Sequence, residues 1–280
     1  MKSNFFKTSA GVEMPQLIYG TAWKEDKTAE LVETAINQGF RGIDTACQRK
    51  HYNEKGVGEG IKVALQGDLE RSDLFVQTKF TDYKGHDHRI PYDPNASLAE
   101  QVFQSFSRSK DNLGTDYVDS YILHGLLETL DDTMAAWGAM EDLFKAGEVK
   151  QLGFSNCYDL DQAKYIYDYS DIKPAVLQNR FCRDTQYDTI LREWCRGHNI
   201  VYQSFWTLTA NPHILSSDVM QKVAIQHCRN PAQILFRFLI QSGIAPLTGT
   251  TSTLHMKEDL AIFDFELSVS DIQQLQVLIQ

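Results

Sequence analysis

The sequence has no Cys-x-x-Cys pair, and its five cysteines, Cys47, Cys157, Cys182, Cys195 and Cys228, are odd in number and widely spaced. That pattern suits reduced thiols better than a disulfide framework and predicts a cytoplasmic protein. Long apolar runs are also missing. The amino-terminal MKSNFFKTSAGVEMPQ holds no apolar stretch of signal length, and ILFRFLI is broken by Arg237, so neither export nor a membrane span is expected. Positive charge is in short supply: 27 Lys and Arg face 37 Asp and Glu, a net charge of −10. Such a balance repels a phosphate backbone and an anionic membrane surface alike, which excludes nucleic acid and membrane as expected partners. The last absence is a Gly-x-Gly-x-x-Gly turn. The first apolar run ends in GTAWKE, with one glycine, and the richer GVGEG at 56–60 does not directly follow a strand, so a doubly wound dinucleotide-binding sheet is disfavoured.

What is present is an alternation. Short apolar runs at 16–20, 41–44, 74–78, 118–123, 150–154, 175–178, 200–204 and 244–247 read as strands, each bounded by polar or turn residues. Helical spacing fills the gaps, with Gly39, Gly147 and Gly197 as helix ends, Ser97 to Glu100 as a capping box and Asn230-Pro231 as a helix start. Eight such units in 280 residues give about 35 residues each, the length a parallel (β/α)8 TIM barrel needs. A single domain over residues 1–280 is expected, with FFKTSAGVEMPQ forming a β-hairpin plug that turns at Ala10-Gly11.

The strand ends carry the chemistry. The runs close on Asp44, Lys79, His124, Ser155-Asn156, Gln178-Asn179, Phe205-Trp206 and Thr248-Gly249-Thr250-Thr251, and barrel active sites gather at the carboxyl ends of strands. An acid, a lysine and a histidine on successive ends suit carbonyl reduction. Tyr52 would supply the proton, Lys79 would lower its pKa, Asp44 would hold Lys79, and His124 would hydrogen-bond the substrate oxygen. No metal site is expected, because His86-Asp87-His88 sits in the polar loop TDYKGHDHRIPYDPN and reads as solvated. Trp23, Trp206, Tyr83 and His86 are candidates for lining a substrate pocket. Cys47 is a thiol beside the site, better read as a buried small residue than as a sensor.

GFRGIDTA with NEKGVGEGIK, LFVQTKF, YVDSYILH, AMEDLFKAGEVKQLGFSN, PAVLQNRF and DLAIFDFELS together resemble the aldo-keto reductases, from about residue 5 onward. The resemblance implies an eight-stranded barrel that binds NADPH without a Rossmann fold, NADH being the lesser possibility, and a catalytic tetrad at Asp44, Tyr52, Lys79 and His124. It implies cofactor contacts at Gly20, Thr21, Ser155, Asn156, Gln178, Phe205, Trp206, Leu208, Thr248, Gly249, Thr250, Thr251, His255, Glu258 and Asp259. Ser155, Asn156 and Gln178 would hold the nicotinamide carboxamide, and Phe205 would stack where the family usually has tyrosine. The expected partner is a small carbonyl substrate, and the protein itself a monomer or weak homodimer. A nucleotide-binding redox sensor or regulatory subunit on the same barrel is the alternative.

Three departures from the family pattern stand out. His51 occupies the usual tyrosine place before Asn53-Glu54, Tyr52 follows it, and the loop after Asp44 is two residues longer. The cations that grip an adenosine 2′-phosphate are missing from PLTGTTSTLHMKEDL, leaving hydroxyls, His255 and Lys257. The chain ends at Gln280 just after SDIQQLQVLIQ, so an open substrate mouth is expected.

Overall fold

A computed structural model describes residues 4–279; the expectation tied to the end at Gln280 lies outside them. Two short strands, β1 (Phe5–Lys7) and β2 (Glu13–Pro15), pair antiparallel with Phe6 opposite Met14. Gly11 makes the turn at φ +80°, a left-handed conformation that costs glycine nothing. Eight parallel strands follow: β3 (Ile18–Gly20), β4 (Gly42–Asp44), β5 (Phe75–Phe80), β6 (Ser120–Leu123), β7 (Leu152–Ser155), β8 (Val176–Arg180), β9 (Val201–Phe205) and β10 (Ile244–Thr248). They pair in sequence order, and β10 pairs with β3 to close the barrel. Each strand found lies within a residue or two of its predicted run.

Side chains alternate across each strand, so every second residue enters the barrel. Ile18, Phe75, Ile122, Val176, Ala245 and Leu247 form an apolar layer inside, and Met14 of the hairpin packs into it, fully buried. The hairpin therefore plugs the amino-terminal end, with Met14 contributing roughly 1.5–3 kcal/mol of burial. The next layer up is polar. Gln77 donates to Gln203 at 2.8 Å and to Asp44 at 2.7 Å, and Gln178 donates to the same two acceptors at 2.8 and 3.1 Å. Outside the strands, the helices bury one apolar stripe each, such as Leu31, Val32, Ala35 and Ile36 on Thr28–Gln38.

The local signals act as expected. Ser97 and Glu100 form a capping box, Asn230 caps a helix with Pro231 in its first turn, and Gly39 ends its helix left-handed at φ +118°. Gly197 is the last helical residue, and the left-handed turn falls on Asn199 at φ +58°. GVGEG turns out to be a packing motif within the helix Glu54–Ala64. A Cβ on Gly58 would stand 2.1 Å from the Asn112 carbonyl oxygen, and one on Gly60 would stand 2.5 Å from that of Ala29. Two neighbouring helices press their backbones against this one, and no other residue fits there.

Candidate active site

Asp44 ends β4 with 2% of its surface exposed, and Lys79, two residues past Gln77 on β5, is fully buried. Lys79 Nζ donates to Asp44 Oδ1 at 2.6 Å, to Oδ2 at 2.7 Å and to the Thr45 carbonyl at 2.8 Å. All three ammonium protons are thereby used. Burial lowers the Lys79 pKa and Asp44 opposes that shift. Asp44 also accepts from Gln77 and Gln178, so both charges are fixed from several sides.

The longer loop after Asp44 folds back on itself. Thr45 N continues the ladder to Gln77 O at 2.9 Å, and Gln48 O then accepts from His51 N at 3.3 Å and Tyr52 N at 3.0 Å. This compact turn brings Tyr52 over the lysine: Nζ lies 5.4 Å from its ring centroid, and the His124 ring meets it edge-on at 5.9 Å. His51 points elsewhere and stacks on Trp23 at 4.1 Å. Its pKa is lowered by burial and by Lys50, with Asp87 opposing; the like charge that acts on it is Lys50 rather than Lys79. Among the described residues no side chain hydrogen-bonds the Tyr52 hydroxyl. Burial, reinforced by the Asp44 carboxylate, raises the phenol pKa rather than lowering it. His124 bonds Thr81 Oγ1 through Nδ1 at 2.7 Å and is held well below the usual histidine pKa by burial and then by Lys79.

These groups open onto a cavity of about 1530 Å³ lined by Gly20, Trp23, Lys24, His51, Tyr52, His124, Ser155, Asn156, Gln178, Phe205, Trp206, Leu208, Thr248, Gly249, Thr250, His255, Glu258 and Asp259, among others. Five predicted site residues do not line it, Lys79 among them, its fully buried ammonium being enclosed by Asp44 and Thr45. Thr21 is buried and donates to the Asp44 carbonyl at 2.9 Å. His86 hydrogen-bonds the Thr81 carbonyl at 3.0 Å, Tyr83 is half exposed on the loop outside, and Thr251 points to solvent. Asp87 is held by Arg89. Cys47 is buried, and burial with the Glu54 charge raises its thiol pKa, the opposite of what a reactive thiol needs.

Asn156 at φ +54° and Trp206 at φ +56° are held in the left-handed region, a backbone cost of about 1–3 kcal/mol that clusters at functional sites. Asn156 is fixed by its bond to the His124 carbonyl at 2.7 Å, and Ser155 by its bond to the Gln178 carbonyl at 2.6 Å. Sequence reasoning missed two cations. Lys24 reaches the Gly249 carbonyl beside the cavity and has its pKa lowered by burial. Arg180 follows Gln178 by two residues, a period-two signal that would have found it.

A closed parallel barrel with polar and charged side chains gathered around one cavity at its strand ends has the layout of a barrel enzyme. A model of the Aldo/keto reductase family matches residues 16–280, and the chain belongs to that family. A glyoxal reductase of Bacillus subtilis (strain 168) is 31% identical over 276 residues, covering 97% of this chain and 91% of its own. A 9,11-endoperoxide prostaglandin H2 reductase of Trypanosoma cruzi (strain CL Brener) is 31% identical over 274 residues, 95% and 88% of the two chains. An aldo/keto reductase structure from Brucella melitensis superposes with a TM-score of 0.83 at 28% identity, covering 98% of each chain. The family reduces carbonyl groups and generally uses nicotinamide cofactors. No described helix is long and apolar enough to cross a membrane.

Proposed function

We propose that this protein reduces an aldehyde or ketone to the alcohol with NADPH, and NADH less well, with Tyr52 as the proton donor. The carrying observation is the placement of the Tyr52 ring between buried, Asp44-paired Lys79 and neutral His124.

The cavity fits a dinucleotide. Gln178 commits its Nε2 to Asp44 and Gln203 and has no donor on its Oε1 among the described residues, which leaves an acceptor for a carboxamide N–H; Ser155 and Asn156 stand beside it, and Phe205 offers a ring face. Thr248 to Thr250, with Lys24 and His255, line the β10 side and would take the phosphates and ribose. When bound, the cofactor supplies the hydride that adds to the carbonyl carbon.

The chain's own residues handle the oxygen. The role asks for the His124 tautomer in which Thr81 donates to Nδ1 and Nε2 carries the proton, so that a neutral donor faces the substrate oxygen. The Tyr52 phenol stays protonated at neutral pH because its pKa is raised, and it gives that proton to the developing alkoxide. The nearby ammonium then stabilises the tyrosinate through charge, since its three hydrogens are already bonded. Following loss of reduced-cofactor absorbance with a panel of aldehydes tests the assignment; binding of cofactor without any turnover would favour a regulator instead.

A further inference from the structure

We propose that the pocket between the ends of β8 and β9 is a subsite for an anionic group, a carboxylate or phosphate, carried by the carbonyl substrate and gripped by Arg180 with Arg183 beside it. The proposal rests on the carbonyl-reduction reading and names the substrate class.

Along β8 the side chains that enter the barrel are Val176, in the apolar layer, and Gln178, in the ring around Asp44. Arg180 is the next in that series, so it projects from the same face at the mouth. It lines the main cavity and also a second one of about 670 Å³, formed with Cys182, Arg183, Asp184, Trp206, Thr209, Ala210 and His213. Arg180, Trp206 and Thr209 are common to both, which makes the second space an extension of the first. Of the expected cofactor contacts only Trp206 borders the extension, and Lys24, Thr248 to Thr250 and His255 on the β10 side are absent from it. That separation assigns it to substrate rather than to the dinucleotide.

The guanidinium is placed for an anion. Its carbon sits 4.3 Å from the Trp206 ring centroid, so the indole fixes the plane while the edge N–H groups stay free for two parallel bonds to a planar carboxylate or a phosphate. Trp206 itself is set by its left-handed backbone at φ +56°. Arg71, Arg89 and Arg237 have carboxylate partners, whereas Arg180 and Arg183 have none among the described residues. Asp184 is the one acidic residue on the extension, against two guanidiniums. His213 adds no charge, since burial and Arg183 lower its pKa and its Nε2 bonds the Tyr187 hydroxyl at 2.9 Å. In a chain of net charge −10, a local cationic pocket is what lets an anion approach.

The test compares succinic semialdehyde with its uncharged methyl ester. Wild type is expected to favour the acid by tenfold or more in kcat/KM. Arg180→Met should lower kcat/KM for the acid by 10- to 100-fold, mainly through KM, with under threefold change for the ester; Arg180→Lys should restore part, and Arg183→Gln should cost a few-fold on the acid alone. NADPH affinity, read by calorimetry, should not move. Equal losses on acid and ester would overturn the subsite. A weakened NADPH affinity with both aldehydes affected alike would overturn it too, by giving Arg180 to the dinucleotide diphosphate. If wild type turned over neither aldehyde, the reduction reading would fail while the subsite stayed testable: succinate binding abolished by Arg180→Met upholds an anion site, and equal binding to both proteins sinks it.

Discussion

The two ends of the main cavity are built on opposite terms. At the Asp44 end every charge is paired and saturated: Lys79 spends three hydrogens on Asp44 and Thr45, and two glutamines brace the carboxylate. At the β10 end Glu258 and buried Asp259 face the cavity with the exposed His255, and Lys257 does not line it. The first end is rigid and specified by a network in which each member needs the others. The second sets Lys24 against two carboxylates, so its pull on a phosphate is weak and its ligand preference should be shallow and easy to shift. Effects of substitution should fall in size from one end to the other.

The largest effect belongs to Lys79→Met. It removes the charge beside Tyr52 and leaves buried Asp44 without its ion-pair partner, so two losses coincide. Breaking a buried pair from one side costs about 3–5 kcal/mol, and urea denaturation should show a loss of that order together with turnover below detection. A stable, active variant would mean that the glutamine braces alone hold the site, and the contrast between the two ends would collapse.

Tyr52→Phe is next. It should fold normally, bind NADPH as wild type does and lower kcat by about 10²-fold or more, the usual scale for a positioned acid. His51→Ala should cost less than tenfold, because His51 stacks on Trp23 and stands away from Lys79. The reverse ranking would hand the proton to His51. A pH profile sharpens the point: with the phenol pKa raised above its usual ~10 and His124 held below the usual ~6.5, saturated kcat should stay flat from about pH 6.5 to 9. A step inside that window would show that a different group gives the proton.

The barrel was legible because each strand is a short apolar run closed by a polar residue, a pattern that parallel pairing imposes. The clustering of Asp44, Lys79 and His124, with Tyr52 against them, was legible because an aspartate, a lysine and a histidine end successive strands. Orientation was less so. Whether Tyr83 and His86 face the cavity depends on how the loop after β5 folds, and His86 is drawn back to the Thr81 carbonyl by tertiary contact. The lysine was expected to lower the tyrosine pKa, but burial and then the Asp44 charge raise it, and burial is a property of the folded chain. GVGEG, set aside as a dinucleotide turn because it does not directly follow a strand, proved to be a place where helices touch. Arg180 was readable from its spacing to Gln178, yet only its free guanidinium against Trp206 gives it significance.

The smallest effect is at the β10 end. Burial raises the Asp259 pKa to about 6, against a bond donated by Thr248 at 2.7 Å. Below that pH its carboxyl is neutral, and above it the charge opposes a 2′-phosphate far more than a 2′-hydroxyl. NADPH should therefore be preferred by only a few-fold in kcat/KM at pH 7.5, and the preference should grow as pH falls through 6. Asp259→Asn should enlarge it at pH 7.5 and flatten its pH dependence. Stability provides an independent check. Because the folded pKa lies above the ordinary 3.8, the native state holds the proton longer than the unfolded chain, so stability declines as pH rises from about 4 to 6 and stays lower beyond. Two units correspond to at most about 3 kcal/mol, and Asp259→Asn should recover part of it in urea titrations at pH 8 while gaining nothing at pH 4. An NADPH preference that ignored both pH and Asp259 would place the 2′-phosphate away from this carboxylate, and a strong NADH preference would remove it from the site altogether.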